Sequence, residues 1–389
     1  MKAETYDVAV IGAGIVGAAC ADDCARQGLR VIVVDRGLIA GGATATGMGH
    51  IVVMNDSEAQ FALTRYSQQL WQQLRPELPA DAEYEQCGTI WVAADDDEMA
   101  EVRRKHNDYG QRGVPTEILD PEALEGLEPN LRKGLAGGLL VPGDGVVHPP
   151  SVARFLIERA QAAGAKLELG ATVTHIGKGQ VRLADGTEFS AASIINAAGV
   201  WASALNLGIS VKKRKGHLTI TDRYPGLVRH QLVEMGYVKS AHSASADSVA
   251  FNVQPRRGGQ IIIGSSRQYG AEHSEVDSDL LDRMLQRAYQ YMPKLAGLST
   301  VRVWTGFRPA SPDNLPLIGP WPDDPTLFLA AGHEGLGITA SLATGRLLAD
   351  QIAGRTSAIP VEPYWPSRFT VDHAGQTASG YSESRGGRG

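Results

Sequence analysis

The chain has 389 residues, 43% of them apolar and 21% charged, the ordinary make-up of a soluble globular protein of roughly two domains. A formal net charge of −6 and a pI near 5.9 provide no basic field for phosphate and argue against nucleic acid as a partner. No apolar run reaches the roughly 18 residues of a membrane span, and residues 1–6 are polar and lead straight into a strand, so neither a span nor a signal peptide is expected and a cytoplasmic protein is.

Residues 6–11 (YDVAVI) read as a short buried strand. The turn Gly12-Ala13-Gly14-Ile15-Val16-Gly17 follows, then a helical stretch to about Gln27. Gly28 stops it, since glycine accepts the left-handed backbone of a helix end. Cys20 and Cys24 fall on one face of this helix. With Cys87 they make an odd count without a CxxC pair, so they are expected to be packed thiols, not disulfides or metal ligands. Residues 30–35 (RVIVVD) form a second buried strand that ends at Asp35. Strand, glycine turn, helix and strand within about 30 residues open a doubly wound parallel sheet.

A polar helix spans about 58–78, and residues 85–147 mix short strands (TIWVA) with a charged helix. Residues 151–163 form an amphipathic helix leading to the strands KLELG and TVTHIG. Asp185-Gly186 marks a hairpin turn before SIINAAG, a buried strand ending at a glycine. From about 211 to 300 the strands lengthen and alternate (HLTITD, SVAFNVQP, QIIIGSS), with one helix over 278–292; this predicts a largely antiparallel sheet. The run Lys212, Lys213, Arg214, Lys215 is either a solvated turn or strand end, or a lure for an anionic substrate. From 301 a loop, the strand LFLAAG and a helix over about 337–353 return to the first sheet. Residues 370–389 are Gly- and Ser-rich without apolar periodicity and are expected to be a disordered tail.

The glycine turn carries the clearest chemistry. Gly12 allows the tight exit from the strand, Gly14 lets a pyrophosphate approach the backbone, and Gly17 lets the helix pack closely on the strand. The helix N-terminus offers N–H groups and positive dipole to phosphates. Asp35, eighteen residues past Gly17, is placed to accept both ribose hydroxyls. Two later segments are built the same way: Asn196-Ala197-Ala198-Gly199-Val200-Trp201, and Ala331-Gly332-His333-Glu334-Gly335-Leu336-Gly337. A second helix N-terminus could face the O2 edge of a flavin and stabilise its anionic reduced ring. A chain that leaves its nucleotide sheet and returns to it in this way favours FAD over NAD.

These features, with RGLIAGGATATGMGH (36–50), NAAGVWA (196–202), GFRPASPDNLPLIG (306–319) and AAGHEGLGITASLATG (330–345), resemble the D-amino acid oxidase-like flavoenzymes over about residues 5–369. That family includes glycine and sarcosine oxidases and bacterial D-hydroxyproline dehydrogenase; GMGHIVVMND and IIIGSSRQ look most like the last. The resemblance implies an α/β fold: a Rossmann-like FAD-binding domain (1–84, 148–210, 301–369) and a second, largely antiparallel α+β substrate domain (85–147, 211–300). It places Gly41, Gly42, Ala43, Thr44 and Met48 along the pyrophosphate and flavin, and the Val173 backbone on the adenosine side. Ile15, Val16, Arg36, Gly49, Gly335, Leu336, Gly337, Ile338 and Thr339 complete the expected cofactor shell with Asp35, Ala197, Ala198, Gly199 and Trp201. The stretch PASPDNLPLIG has no cysteine, so the FAD is expected to be non-covalent.

The reaction implied is C–N dehydrogenation: the amine lone pair pushes and the α-hydrogen leaves as hydride to flavin N5. Such a site needs a carboxylate anchor, which a planar, permanently charged guanidinium supplies. Arg308, in Gly-Phe-Arg-Pro, stands where the family puts that arginine; the plain alternative is a surface salt bridge. Arg267 is a second anchor, a partner for a ring hydroxyl, or a solvated strand end. Asn252 replaces a substrate-binding tyrosine of glycine oxidases, which counts against glycine. His50 could bond the flavin or the substrate or be structural, His333 adjoins the flavin-facing glycines, and Glu334 is a nearby acid or a helix N-terminal charge. No metal site is expected. The preferred reading is a D-imino-acid dehydrogenase acting on D-hydroxyproline or D-proline, with an electron acceptor other than oxygen. The alternatives are a glycine or sarcosine oxidase producing hydrogen peroxide, or an FAD-holding β subunit. The acceptor is unknown, and homo- and hetero-oligomers both stay open.

Overall fold

The computed structural model describes residues 4–205, 208–236 and 247–369; the expected tail at 370–389 lies outside them. The apolar run ahead of the glycine turn forms strand β1 (Thr5–Ile11), and the turn itself starts helix α1 (Ile15–Arg26). Gly28 has a φ of 85°, the left-handed helix stop its position predicts. Then come β2 (Val31–Asp35), α2 (Ala43–Thr46), β3 (His50–Ile51) and α3 (Glu58–Leu74), the last capped by Ser57, which accepts from the Gln60 N–H. An excursion follows through β4 (Thr89–Ala93), α4 (Asp96–Gln111), β5 (Glu117–Leu119), α5 (Pro121–Leu127), β6 (Gly137–Val141) and β7 (Gly145–Val146).

The chain returns with α6 (Pro149–Ala162), β8 (Lys166–Leu169), the hairpin of β9 (Val173–Gly177) and β10 (Gln180–Leu183), β11 (Glu188–Asn196) and α7 (Ala202–Leu205). A second excursion holds β12 (Lys212–Thr221), β13 (Gln231–Glu234), β14 (Ser248–Pro255), β15 (Ile261–Arg267), α8 (Ser278–Tyr291) and β16 (Thr300–Ala310). The final return is β17 (Leu317–Trp321), β18 (Asp324–Ala331) and α9 (Gly337–Ile352).

The first sheet runs β17-β18-β11-β1-β2-β8, with β10 and β9 appended to β11. Its centre is parallel throughout: β1 lies between β11 and β2, and β18 joins β11. Val8, Ala9, Val10 and Val34 are fully buried, as befits parallel strands covered on both faces. Helix α1 packs between α6 and α9, and α9 also packs on α3. The second sheet runs β16-β12-β15-β14-β13-β4-β6-β5. It is antiparallel except where β13 meets β4, and α8 covers β14 and β15.

Two expectations need correction. Residues 301–310 are not a loop returning to the first sheet. They belong to β16, which pairs along its whole length with β12 in the second sheet. The basic run is not a turn but the start of β12: Lys212 is exposed as a strand end would be, Lys213 and Arg214 are half-buried, and Lys215 is fully buried. No helix among the described residues is long and apolar enough to cross a membrane, and among them no group of His, Cys, Asp and Glu is placed to hold a metal ion.

Candidate active site

Residues of both sheets line a cavity of about 940 Å³, at the upper end of ligand-pocket sizes. The glycine turn forms one wall, and each glycine has its own reason. A Cβ on Gly17 would lie 1.9 Å from the Gly12 carbonyl oxygen, and one on Gly12 2.5 Å from that of Ala197, so both seat the helix and strands against each other. A Cβ on Gly14 would meet only Thr44 Oγ1, at 3.2 Å, which leaves its other side open to a ligand.

The first intrahelical bond of α1 is Ala18 N–H to the Gly14 carbonyl, so the N–H groups of Ile15, Val16 and Gly17 precede the ladder. That of Ile15 is already taken by Thr44 Oγ1 at 3.0 Å. Asp35 is oriented by two backbone donors at 2.7 Å, Ala13 N–H on Oδ2 and Gly37 N–H on Oδ1. A carboxylate has lone pairs beyond these two for ribose hydroxyls. Beside it the Arg36 guanidinium lies 3.7 Å from the Trp201 ring centroid. The glycine cradle, the acid and the size of the cavity fit a dinucleotide such as FAD.

The expected shell residues Gly41, Gly42, Ala43, Met48, Gly49 and Val173 line this cavity, as do Ala197, Ala198, Gly199, Gly335, Gly337 and Ile338. Three others stand elsewhere. Gly17 is packed beneath Gly12, and Leu336 lines a smaller neighbouring cavity. Thr339 is buried, its hydroxyl donating to the His50 carbonyl at 2.8 Å and accepting from the Val52 N–H at 3.3 Å. It holds the strand that carries His50 and does not face the cavity.

Arg308 projects from β16 into the large cavity, where its Nη1 donates to the Ser266 carbonyl at 3.0 Å. The guanidinium lies close against Gly216, whose added Cβ would sit 2.4 Å from Nη1 and 2.9 Å from Cζ. Close by stands Glu334, a non-glycine residue at φ 50°, whose carboxylate accepts from the N–H of its neighbour Gly335 at 2.5 Å. Its Oε1 is 3.1 Å from Arg214 Nη1 and 3.5 Å from Arg267 Nε. Burial alone would raise its pKa, but the guanidinium groups of Arg267, Arg308 and Arg214 outweigh this and bring it down to about 2.

A second cavity, about 100 Å³, adjoins the first; His50, Asn252, His333, Glu334 and Gly335 line both. Arg267 lines it and is buried, 6% exposed, not solvated. Arg214, from the basic run, lines it too and also donates to Asn314 Oδ1 at 3.1 Å. Burial and the nearby Arg308 lower the His50 pKa to about 4, so its ring is neutral at ordinary pH; its Nε2 is buried without a hydrogen-bond partner. His333 is lowered to about 4 by burial alone. Its Nε2 lies 2.9 Å from the Thr344 hydroxyl, which itself donates to the Ala340 carbonyl, leaving the imidazole N–H to donate into α9. This makes His333 chiefly a brace at the start of that helix. Sequence reading does not reach Trp91, Gln231 and Gln60, which complete the second cavity. No motif marks them, because they come together only through the register of β4, β13 and α3.

The chain is similar to known proteins over nearly its whole described length. Glycine oxidase of Geobacillus kaustophilus is 29% identical over 375 residues, covering 92% of this chain and 96% of the relative. The hydrogen cyanide synthase subunit HcnC of Pseudomonas aeruginosa is 28% identical over 422 residues, covering 95% and 98% respectively. The crystal structure of L-proline dehydrogenase from P. horikoshii superposes with a TM-score of 0.85 at 25% identity, over 94% of this chain and 98% of that one. The model of the family described as FAD dependent oxidoreductase matches residues 7–351, from the first strand into the last long helix, and the chain belongs to that family.

Proposed function

We propose that this FAD-dependent enzyme oxidises the C–N bond of a small D-amino or cyclic imino acid of the D-proline or D-hydroxyproline type, and passes the electrons to an acceptor other than oxygen. Arg308 carries this reading: a guanidinium set close against Gly216 in the wall of the larger cavity, close to a side pocket of only about 100 Å³. FAD, when bound, supplies the hydride acceptor. Arg308 takes the substrate carboxylate on its planar fork and fixes the α-carbon, which is worth several kcal/mol of barrier when the reacting atoms are held at about 3–3.5 Å. Glu334 stays anionic and balances part of the arginine charge. The neutral His50 ring offers a polar atom without adding a cation beside the amine. Likeness to proteins named glycine oxidase and L-proline dehydrogenase supports the amino- and imino-acid class. Likeness to a protein named as a subunit favours a second reading, in which the chain works with partner chains.

An anaerobic screen of small D- and L-amino and imino acids, read as flavin bleaching, tests the class. Cyclic D-imino acids should bleach it fastest; bleaching by hydroxy acids alone would end the proposal. Slow re-oxidation in air is expected, and rapid re-oxidation would make the protein an oxidase.

A further inference from the structure

The floor of the smaller cavity is one register row of the second sheet. Trp91 on β4 faces Val233 on β13, Val233 faces Asn252 on β14, and Asn252 faces Gly264 on β15. Gln231, two residues before Val233, shares that face, because side chains alternate along a strand. Val52, Met54 and Leu336 add apolar wall. The polar residues here are deeply buried: Gln231 is 1% exposed, Trp91 3%, Asn252 5% and Gln60 8%. Each keeps a polar atom with no hydrogen-bond partner in the protein: Gln231 Oε1, Trp91 Nε1, Asn252 Oδ1 and Gln60 Oε1. With His50 Nε2, unpaired as well, five such groups line one small cavity, which is unusual, since buried polar atoms are nearly always paired.

The charged side chains around the cavity are already engaged with one another. Arg214 and Arg267 are both held by Glu334, and Asp56 stands at its exposed edge. Asp56 in turn faces the buried Lys105 ammonium, which lies 4.8 Å from the Trp91 ring centroid, so the charged groups have partners of their own and the unpaired atoms belong to neutral side chains, which a neutral polar group matches. A purely hydrocarbon group would leave the amide oxygens and the indole N–H unpaired. What remains is a neutral group that both donates and accepts.

We propose that the smaller cavity is a side-chain subsite that reads a hydroxyl on the substrate, whose O–H donates one hydrogen bond to Gln231 Oε1 or Asn252 Oδ1 while Trp91 Nε1 donates to its oxygen, and the apolar walls take the carbon skeleton. This rests on the reading of the larger cavity as the flavin and carboxylate site, and it assigns specificity to residues with no part in the carboxylate anchor. An unhydroxylated substrate would fit but bind less well.

The test uses the FAD-loaded protein with a dye acceptor and two matched pairs, 4-hydroxy-D-proline against D-proline and D-serine against D-alanine. The native protein should show kcat/KM at least 10-fold higher for the hydroxylated member of whichever pair it accepts. Gln231→Leu, and independently the milder Trp91→Phe, should shrink that ratio at least 5-fold by loss on the hydroxylated substrate, leaving its partner within about 2-fold. Equal efficiency within a pair for the native protein, or a ratio unmoved in both variants, would overturn the subsite. Turnover of only the acyclic pair with the hydroxyl preference intact would uphold it and reject a cyclic imino acid as the substrate.

Discussion

Arg308 and Gly216 form a single device made of two residues. The family resemblance singles out the arginine, but nothing in the local pattern shows that its guanidinium needs a residue without a side chain across the sheet. Two predictions separate anchor from seat. Arg308→Ala should cost on the order of 2–4 kcal/mol in kcat/KM, mostly as a raised KM, because the half-buried guanidinium is the charge partner that the bound substrate carboxylate covers; steady-state kinetics on the best substrate reads it. Gly216→Ala leaves the charge but puts a Cβ 2.4 Å from Nη1, and the flexible end of the arginine must move. Since a misplacement of about 1 Å can cost roughly 100-fold, a 10- to 100-fold loss is expected with bound flavin unchanged, measured by absorbance per protein. Loss of flavin in that variant would mean that Gly216 serves the fold instead.

At the scale of elements, the dinucleotide turn is legible because its glycines, strand and acid are contiguous. The residues of the smaller cavity are not: Trp91, Gln231 and Asn252 are brought together by pairing between remote strands. The segment 301–310 misleads for a related reason. Its glycine, proline and arginines interrupt the alternation that marks a strand, and only the partnership with β12 makes it one. The basic run misleads because four cations suggest water, whereas the sheet buries Lys215 and turns Arg214 towards Glu334.

Helices α1 and α9 touch where a Cβ on Gly345 would fall 2.6 Å from the Ala19 carbonyl, with backbone on both sides and no side chain to yield. Gly345→Ala should therefore destabilise the protein by about 1–3 kcal/mol. It should also loosen flavin binding, because the start of each helix lines the larger cavity; thermal melting and flavin release together check this.

Across the whole molecule, buried ionisable groups pull stability in opposite directions with pH. His333, 3% exposed, has a folded pKa of about 4 against an ordinary 6.5. Between those values the unfolded chain binds a proton that the native one refuses, so its contribution is intact above pH 6.5 and is lost as pH falls towards 4. Asp144 runs the other way: burial raises its pKa from 3.8 to about 7, so its share is intact below 3.8 and is lost as pH rises through 7. A difference measurement isolates the histidine. His333→Gln keeps a donor for Thr344, and its stability relative to the native protein should improve by roughly 3 kcal/mol between pH 6.5 and pH 4. A gap in denaturation free energy that does not change with pH would show that His333 titrates normally.

The order of strands in the first sheet also constrains how the protein is made. β1 precedes the other strands of its sheet, yet its neighbour β11 has β18 on its other side, and α9 follows only at Gly337–Ile352. A ribosome that has released the glycine turn still holds back the helix that closes the other end of the cavity. A nascent chain can thus begin the nucleotide cradle early but cannot trap flavin until synthesis has passed α9, and pulse-labelled chains stalled before that point should emerge colourless.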